Sequence, residues 1–296
     1  MDKDIKPRDS HSDQEADDQN HNVAALPIFV ISMANGLERR RNMDQQLEKL
    51  GLKAEFVDAV DGRKLSAEEL HQLYDEETAL LRTGRVLSPA EIGCSLSHRK
   101  VYKLIMDRKL DRAIILEDDA ILNQRFPAIL KELRNGPLDV DVLSFYTEIG
   151  WIDLKDPLRI GAETFYRPAS DVTHAVAYYI TQRGARTLYE PDRISYVPDW
   201  PKYCCNMAFY VAYPVCVGHG EFQSLIGKRV ETAKARRSRI RLWLERLWRI
   251  SPLFYLLHYK EYENFRHYRI REKPRPFYTL FPKRYKNFFG RQDLTD

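Results

Sequence analysis

Apolar positions fall into short runs and helical spacings that alternate from about residue 26 to residue 227. Residues 26–33 read as a buried strand; after Asn35-Gly36, Leu37, Met43, Leu47 and Leu50 recur at helical spacing until Gly51. Residues 54–60 make a second strand ending in the turn dipeptide Asp61-Gly62, which completes a strand-helix-strand unit. Ser66-Ala67-Glu68-Glu69 opens a further helix with a capping-box pattern. Ser88-Pro89-Ala90-Glu91 is a stronger start signal, with a serine cap, proline at the first helical position and glutamate three after the cap; this helix runs to Met106. Its first turns hold Gly93, Cys94, Ser95 and Ser97, small enough for another backbone or a ligand to approach, tight packing against a sheet being the commoner cause. Residues 113–122 are an apolar run interrupted by three carboxylates, and apolar residues on both strand faces imply a sheet covered on both sides, as in parallel α/β sheets. A helix over 126–133 follows, then strands over 140–146, 173–181 and 209–217, with a helix from Arg183. The section holding Glu148, Trp151 and Asp153 reads as looser, the kind of segment that carries acceptor-binding loops.

The candidate chemistry centres on Glu117-Asp118-Asp119. In open α/β sheets ligands bind at the carboxyl ends of the strands, where this triplet would emerge. Three adjacent acids repel one another unless a cation offsets them, and hard oxygen ligands suit magnesium or manganese carrying a phosphorylated ligand. The alternative is an acidic turn on a solvated loop, which the flanking strand pattern disfavours. Arg39-Arg40-Arg41 falls in the first turn of the first helix, where a cation opposes the helix dipole unless an anion such as phosphate is near; a solvated basic face is the other reading. Glu91 has a cap to make and is not read as catalytic, while His98 fits either a hydrogen-bonded packing role or a ligand. In Val197-Pro198-Asp199-Trp200-Pro201 two prolines fix the backbone around a lone acid, and the last strand delivers His219 and Glu221 towards a loop.

Composition sharpens this picture in two places. The 296 residues, 44% hydrophobic and 30% charged, suit a globular chain, and the net charge of +4 is uneven. From Lys228 onward there are 19 basic and 7 acidic residues, so the preceding part is net acidic by 8. Residues 1–25 are rich in Asp, Gln, Asn, Ser and His and read as a disordered leader. The tail places Ile240, Trp243, Leu244, Leu247 and Trp248 at helical spacing among arginines. That fits either an interfacial anchor on anionic membrane or a terminal helix packing on the domain; no nucleic-acid module accompanies it, so no nucleic acid is expected. Cys94, Cys204, Cys205 and Cys216 show no zinc spacing and read as thiols of a reducing compartment. No run reaches the roughly 18 apolar residues of a membrane span and no secretory signal is evident, so the expectation is a chain made and kept in the cytosol.

Leu87-Ser88-Pro89-Ala90-Glu91-Ile92-Gly93-Cys94-Ser95-Leu96-Ser97-His98, joined to Ile115-Leu116-Glu117-Asp118-Asp119, resembles glycosyltransferase family 25, the bacterial lipopolysaccharide and lipooligosaccharide sugar transferases. The resemblance takes in Val30-Ile31-Ser32 with Glu38-Arg39-Arg40, the segment from Phe56 through Gly62, Thr181-Gln182-Arg183-Gly184-Ala185 and Pro198-Asp199-Trp200, in one order over residues 27–227. It departs at Ser88-Pro89 and His174, which bear on the acceptor more than on the reaction. It implies an α/β, GT-A-like (Rossmann-type) nucleotide-sugar-binding fold over 26–227; the helical basic extension over 228–296 is read from the tail's own charge and spacing. It further implies a uridine-diphosphate sugar donor, with galactose the expected sugar, a lipid-linked oligosaccharide acceptor and a place at the cytoplasmic face of the inner membrane. On that likeness Asp119 binds Mn2+ or Mg2+, with His219 a further metal ligand or a backbone-bonded histidine. Glu117 and Asp118 orient the ribose or support the metal, Arg40 offsets the diphosphate, and Asp58, Ser97 and His98 face the donor. β-Linked products from α-linked donors imply inversion, which needs a carboxylate base. Asp199 is the expected base, with Asp153 and Glu148 in reserve; Asp199 could instead hold the donor sugar or the metal. The rival readings are a sugar-nucleotide-binding scaffold without turnover, and a peripheral membrane or nucleic-acid binder acting through the tail.

Overall fold

The computed structural model describes residues 26–83, 85–136, 138–148, 150–168, 172–198, 207–220 and 267–270. The expected leader, the amphipathic tail segment, Asp199, Glu221, Cys204 and Cys205 lie outside the described residues.

A nine-stranded mixed sheet organises the chain. Strand β1 (Ile28–Ser32) runs parallel to both its neighbours, β2 (Glu55–Asp58) and β3 (Arg112–Glu117). Helix α1 (Leu37–Lys49) makes the crossover from β1 to β2, as expected. A 3-10 turn (Gly62–Lys64), α2 (Ala67–Leu73), α3 (Glu76–Thr83) and α4 (Pro89–Asp107) then lead to β3. The acid triplet follows, with Asp118 and Asp119 in a turn before β4 (Ala120–Ile121), and α5 (Phe126–Arg134) leads to β5 (Val142–Ser144).

The far half of the sheet departs from the sequence reading. Residues expected to be loose form a long hairpin, β6 (Gly150–Ile160) with β7 (Glu163–Pro168). Strand β8 (Ala177–Thr181) is antiparallel to both β3 and β5, so the sheet is mixed rather than parallel. Helix α6 (Gln182–Tyr189) and β9 (Phe209–Ala212) follow, the latter parallel to β5 and antiparallel to β7. A two-residue strand, β10 (Gly218–His219), pairs with β4 outside the main sheet. Four residues of the tail, β11 (His267–Ile270), add an antiparallel edge strand to β6, in the aromatic, basic run beyond the helical spacing of residues 240–248. Among the described residues no helix is long and apolar enough to cross a membrane.

Side chains of β1 and β3 alternate between two cores, because successive residues of a strand point to opposite faces. Ile28, Val30, Ile114 and Leu116 join Met43 and Leu47 of α1 and Phe126, Ile129, Leu130 and Leu133 of α5. Phe29, Ile31, Ala113 and Ile115 join Val101, Tyr102 and Ile105 of α4 and Ala185 and Leu188 of α6. Both faces are covered, which explains why these strands are apolar at every position. Ile114, Ile115 and Leu116 are fully buried, and each contributes roughly 1.5–3 kcal/mol. Like charges about 4 Å apart cost about 1 kcal/mol in water and about 4 kcal/mol near a protein surface. The apolar half of β3 therefore holds the acids at its end.

Helix α4 begins as its sequence dictates. Ser88 Oγ accepts from Glu91 N–H at 3.3 Å and Glu91 Oε2 accepts from Ser88 N–H at 2.9 Å. The same carboxylate takes two bonds from the Arg85 guanidinium, at 2.6 and 2.8 Å. Burial pushes the Glu91 carboxyl up, but Arg85 and Ser88 outweigh it and hold the group below its ordinary value. Glu91→Gln is expected to cost about 2–4 kcal/mol at neutral pH. The stabilisation is complete above the unfolded pKa of about 4.3 and is lost as pH falls through the lowered folded value. Urea melts of both proteins across that range should show the gap closing with acid; a constant gap would mean the charge is not responsible.

Candidate active site

The carboxyl ends of β1 and β3 open into a cleft of about 1020 Å³, counting its open mouth. Ser32, Arg39, Asp61, Arg63, Cys94, Ser97, Glu117, Asp118, Asp119, His174 and His219 contribute to its walls. The triplet emerges here as expected, and its three carboxylates diverge. Glu117 Oε1 lies 3.0 Å from His98 Nε2 on α4. Asp118 Oδ2 accepts from Ser32 Oγ at 2.6 Å, and its Oδ1 accepts from Arg39 Nη1 at 2.9 Å. Asp119 Oδ2 lies 3.3 Å from the same Arg39 nitrogen and 3.6 Å from His219 Nε2. Asp119 Oδ1 is buried with no hydrogen-bond partner among the described residues.

The β4–β10 pairing sets His219 opposite Ala120, and Gly220 N–H donates to Asp119 O at 2.8 Å. This small ladder brings His219 to the acid triplet from 100 residues further along the chain. The adjacent Asp119 carboxylate raises the His219 imidazole above its ordinary value, burial opposes the rise, and Glu117 and Glu148 add to it. A buried carboxylate oxygen without a donor, next to an imidazole nitrogen, suits a divalent ion of the manganese or magnesium class. Asp119 and His219 are the residues fitted to hold it.

Arg39, not Arg40, faces the acids, which corrects the expectation from sequence. Consecutive residues on a helix point about 100° apart, so only one can reach the end of β3. Arg40 turns towards β2, donating to Ser32 O at 2.9 Å and Met33 O at 3.1 Å and pairing with Asp58. Arg40 and Asp58 thus tie the ends of β1 and β2 together and do not line the cleft. Ser97 borders the cleft but is committed to structure, accepting from Val60 N–H at 2.8 Å and donating to Gly93 O at 2.7 Å. His98 is buried, with Nδ1 2.7 Å from the Tyr178 hydroxyl. Asp153 is not brought to the cleft: it lies on β6, five strands from β3, and accepts from Lys155 N–H at 2.9 Å.

Glu148 does approach the site, 3.7 Å from His174 Nε2. The His174 ring in turn lies 5.4 Å from the His219 ring and 5.8 Å from Tyr146. His174 adopts φ +69, a left-handed conformation uncommon for a non-glycine residue. No spacing rule joins residues 146, 148, 174 and 219, and sequence reasoning took His174 only as a departure bearing on the acceptor. The arginine cluster pointed to Arg39 only as one of three.

Human procollagen galactosyltransferase 2 is 28% identical over 167 residues, covering 54% of this chain and 27% of that protein. Inactive glycosyltransferase 25 family member 3 of Mus musculus is 34% identical over 118 residues, covering 38% of this chain and 19% of that protein. The chain thus spans about a quarter of the length of the curated relatives it matches. A solved glycosyltransferase involved in glycosylation of the major capsid of PBCV-1 overlaps 73% of this chain and 97% of its own at 11% identity, with a TM-score of 0.32, too low to bear on function. The model of glycosyltransferase family 25 (LPS biosynthesis protein) matches residues 25–197, more than half of the sequence, and the chain belongs to that family.

Proposed function

We propose that the protein transfers a hexose, galactose, from a uridine-diphosphate donor to a lipopolysaccharide or lipooligosaccharide acceptor, with inversion, on a GT-A-like domain. The observation that carries this reading is the unpartnered, buried Asp119 Oδ1 beside His219 at the strand-end cleft. A divalent ion held by Asp119 and His219 would supply Lewis-acid neutralisation of the leaving diphosphate. Arg39, already within reach of both aspartates, adds a cation that can turn to the same phosphates. Glu117, held by His98, and Asp118, held by Ser32, present fixed acceptors to the ribose. The acceptor hydroxyl's proton goes to a carboxylate on the far side of the sugar, a role given to Asp199, with Glu148 beside His174 as the described alternative. The basic, aromatic tail sequence supports peripheral contact with anionic lipid at the cytoplasmic face of the inner membrane, where a lipid-linked acceptor would be met.

A second reading, donor binding without turnover, is favoured by the relative named inactive. Calorimetric titration with UDP-galactose and UDP-glucose, with and without manganese, combined with an assay of UDP release, separates the two. Metal-dependent release that prefers UDP-galactose is expected. Metal-dependent binding without release on any acceptor would select the second reading, and absence of both binding and release would sink the first as well.

A further inference from the structure

A second constellation lies deeper in the same cleft wall. Cys94 and His98 are four residues apart on α4 and so share a helix face, and Glu117 ends the neighbouring strand β3. One donor atom from each of the three lies within 4.8 Å of the others, and His98 Nε2 is 3.0 Å from Glu117 Oε1. Ligand atoms around a single tetrahedral ion are about 3–4 Å apart, given metal–ligand bonds of about 2.0–2.3 Å. Small rotations of two partly exposed side chains, Cys94 and Glu117, would complete that spacing.

The imidazole is already oriented for such a role. Its Nδ1 is 2.7 Å from the Tyr178 hydroxyl, which lies 3.0 Å from the Tyr102 hydroxyl, and the ring stacks on Tyr178 at 5.8 Å between centroids. Partners of this kind on the non-ligating nitrogen fix the ring of metal-binding histidines. Cys94 and Glu117 also line the cleft, so an ion has an entry path and solvent can supply a fourth ligand. Thiolate, imidazole and carboxylate together favour softer ions than the Asp119 site does.

We propose that Cys94, His98 and Glu117 bind a thiophilic divalent cation of the zinc class, separately from the Asp119–His219 pair, with one coordination position open to the cleft. Binding displaces the thiol proton and needs the lone pair of His98 Nε2 free to face the ion, with the ring's N–H on Nδ1 towards the Tyr178 hydroxyl. An ion there engages Glu117 next to Asp118 and Asp119, so zinc-class ions would oppose nucleotide-sugar binding. That consequence rests on the transferase reading; the site itself does not.

The test is a Co2+ titration of the metal-free full chain by visible absorption. One equivalent should produce a thiolate-to-cobalt charge-transfer band with tetrahedral d–d bands, displaced by Zn2+, lost in Cys94→Ser and retained in Asp119→Asn. Absence of the bands from the wild type, or their persistence in Cys94→Ser, would overturn the proposal. Should the serine variant not fold, iodoacetamide labelling of the wild type, read at the Cys94 peptide by mass spectrometry, decides the matter. Zn2+ should slow labelling at least about tenfold where Mg2+ does not, and an equal rate with and without Zn2+ refutes the site.

Discussion

Asp119→Ala should lower metal-stimulated UDP release by about 10³-fold while leaving the melting temperature close to that of the wild type. Neutralising a leaving diphosphate is worth several kcal/mol, and each 1.36 kcal/mol is a factor of about ten in rate. The fold should tolerate the change because, among the described residues, Asp119 gives little to it: one carboxylate oxygen has no partner, and the other has Arg39 at 3.3 Å and His219 at 3.6 Å. Asp118→Ala supplies the contrast. It removes the buried bond from Ser32 and the shorter pairing with Arg39, so stability and activity should fall together. Metal-stimulated release that survives in Asp119→Ala would remove this residue from the reaction, and a large drop in its melting temperature would recast it as structural.

Gly93→Ala should be among the most damaging single-methyl changes in the domain. A Cβ at Gly93 would lie 2.4 Å from Gly62 N and 2.5 Å from Val60 O, and one at Gly62 would lie 1.8 Å from Pro89 O. The obstacles are backbone on both sides, so neither the helix nor the turn can yield by rotating a side chain. Overpacking costs about 1–3 kcal/mol and sometimes more, whereas glycine to alanine within a helix gains only about 1 kcal/mol. A net loss of up to about 2 kcal/mol follows, and more if the two backbones cannot shift, visible as a lower urea midpoint at unchanged slope. Asp61, Gly62 and Arg63 line the cleft, so donor binding should weaken as well. An unchanged or higher midpoint would mean that helix propensity wins and the contact is looser than its distances imply.

This contact also shows what the sequence could disclose. The small residues of α4 announced a close approach, and the capping signals placed the helix start, but nothing in them named the 3-10 turn as the partner. Strand β3 and the charged end were legible because burial and charge are written in consecutive residues. Direction was not: a strand buried on both faces has the same pattern whichever way its neighbour runs, so antiparallel β8 was invisible. The β6–β7 hairpin was hidden by Lys155-Asp156-Pro157, where the register shifts and Asp156 takes φ +48, breaking the alternation that marks a strand. In the site, the acids were evident, but choosing Arg39 over Arg40 required the phase of α1, and the His174–Glu148–His219 grouping required the tertiary fold.

The Arg39 clasp bears on the order of events in the life of the chain. A guanidinium supplied by the chain itself already balances Asp118 and Asp119, so the acids do not have to wait for an ion before β3 and its turn can settle. Domains whose only counter-charge is a metal are unfolded until it arrives. On the proposed function, folding would then be uncoupled from metal supply, so a newly made molecule should mature where the divalent ion is scarce and persist as a stable, idle reserve. On the same reading the ion would be a visitor arriving with the nucleotide, and its scarcity would silence the protein without destroying it.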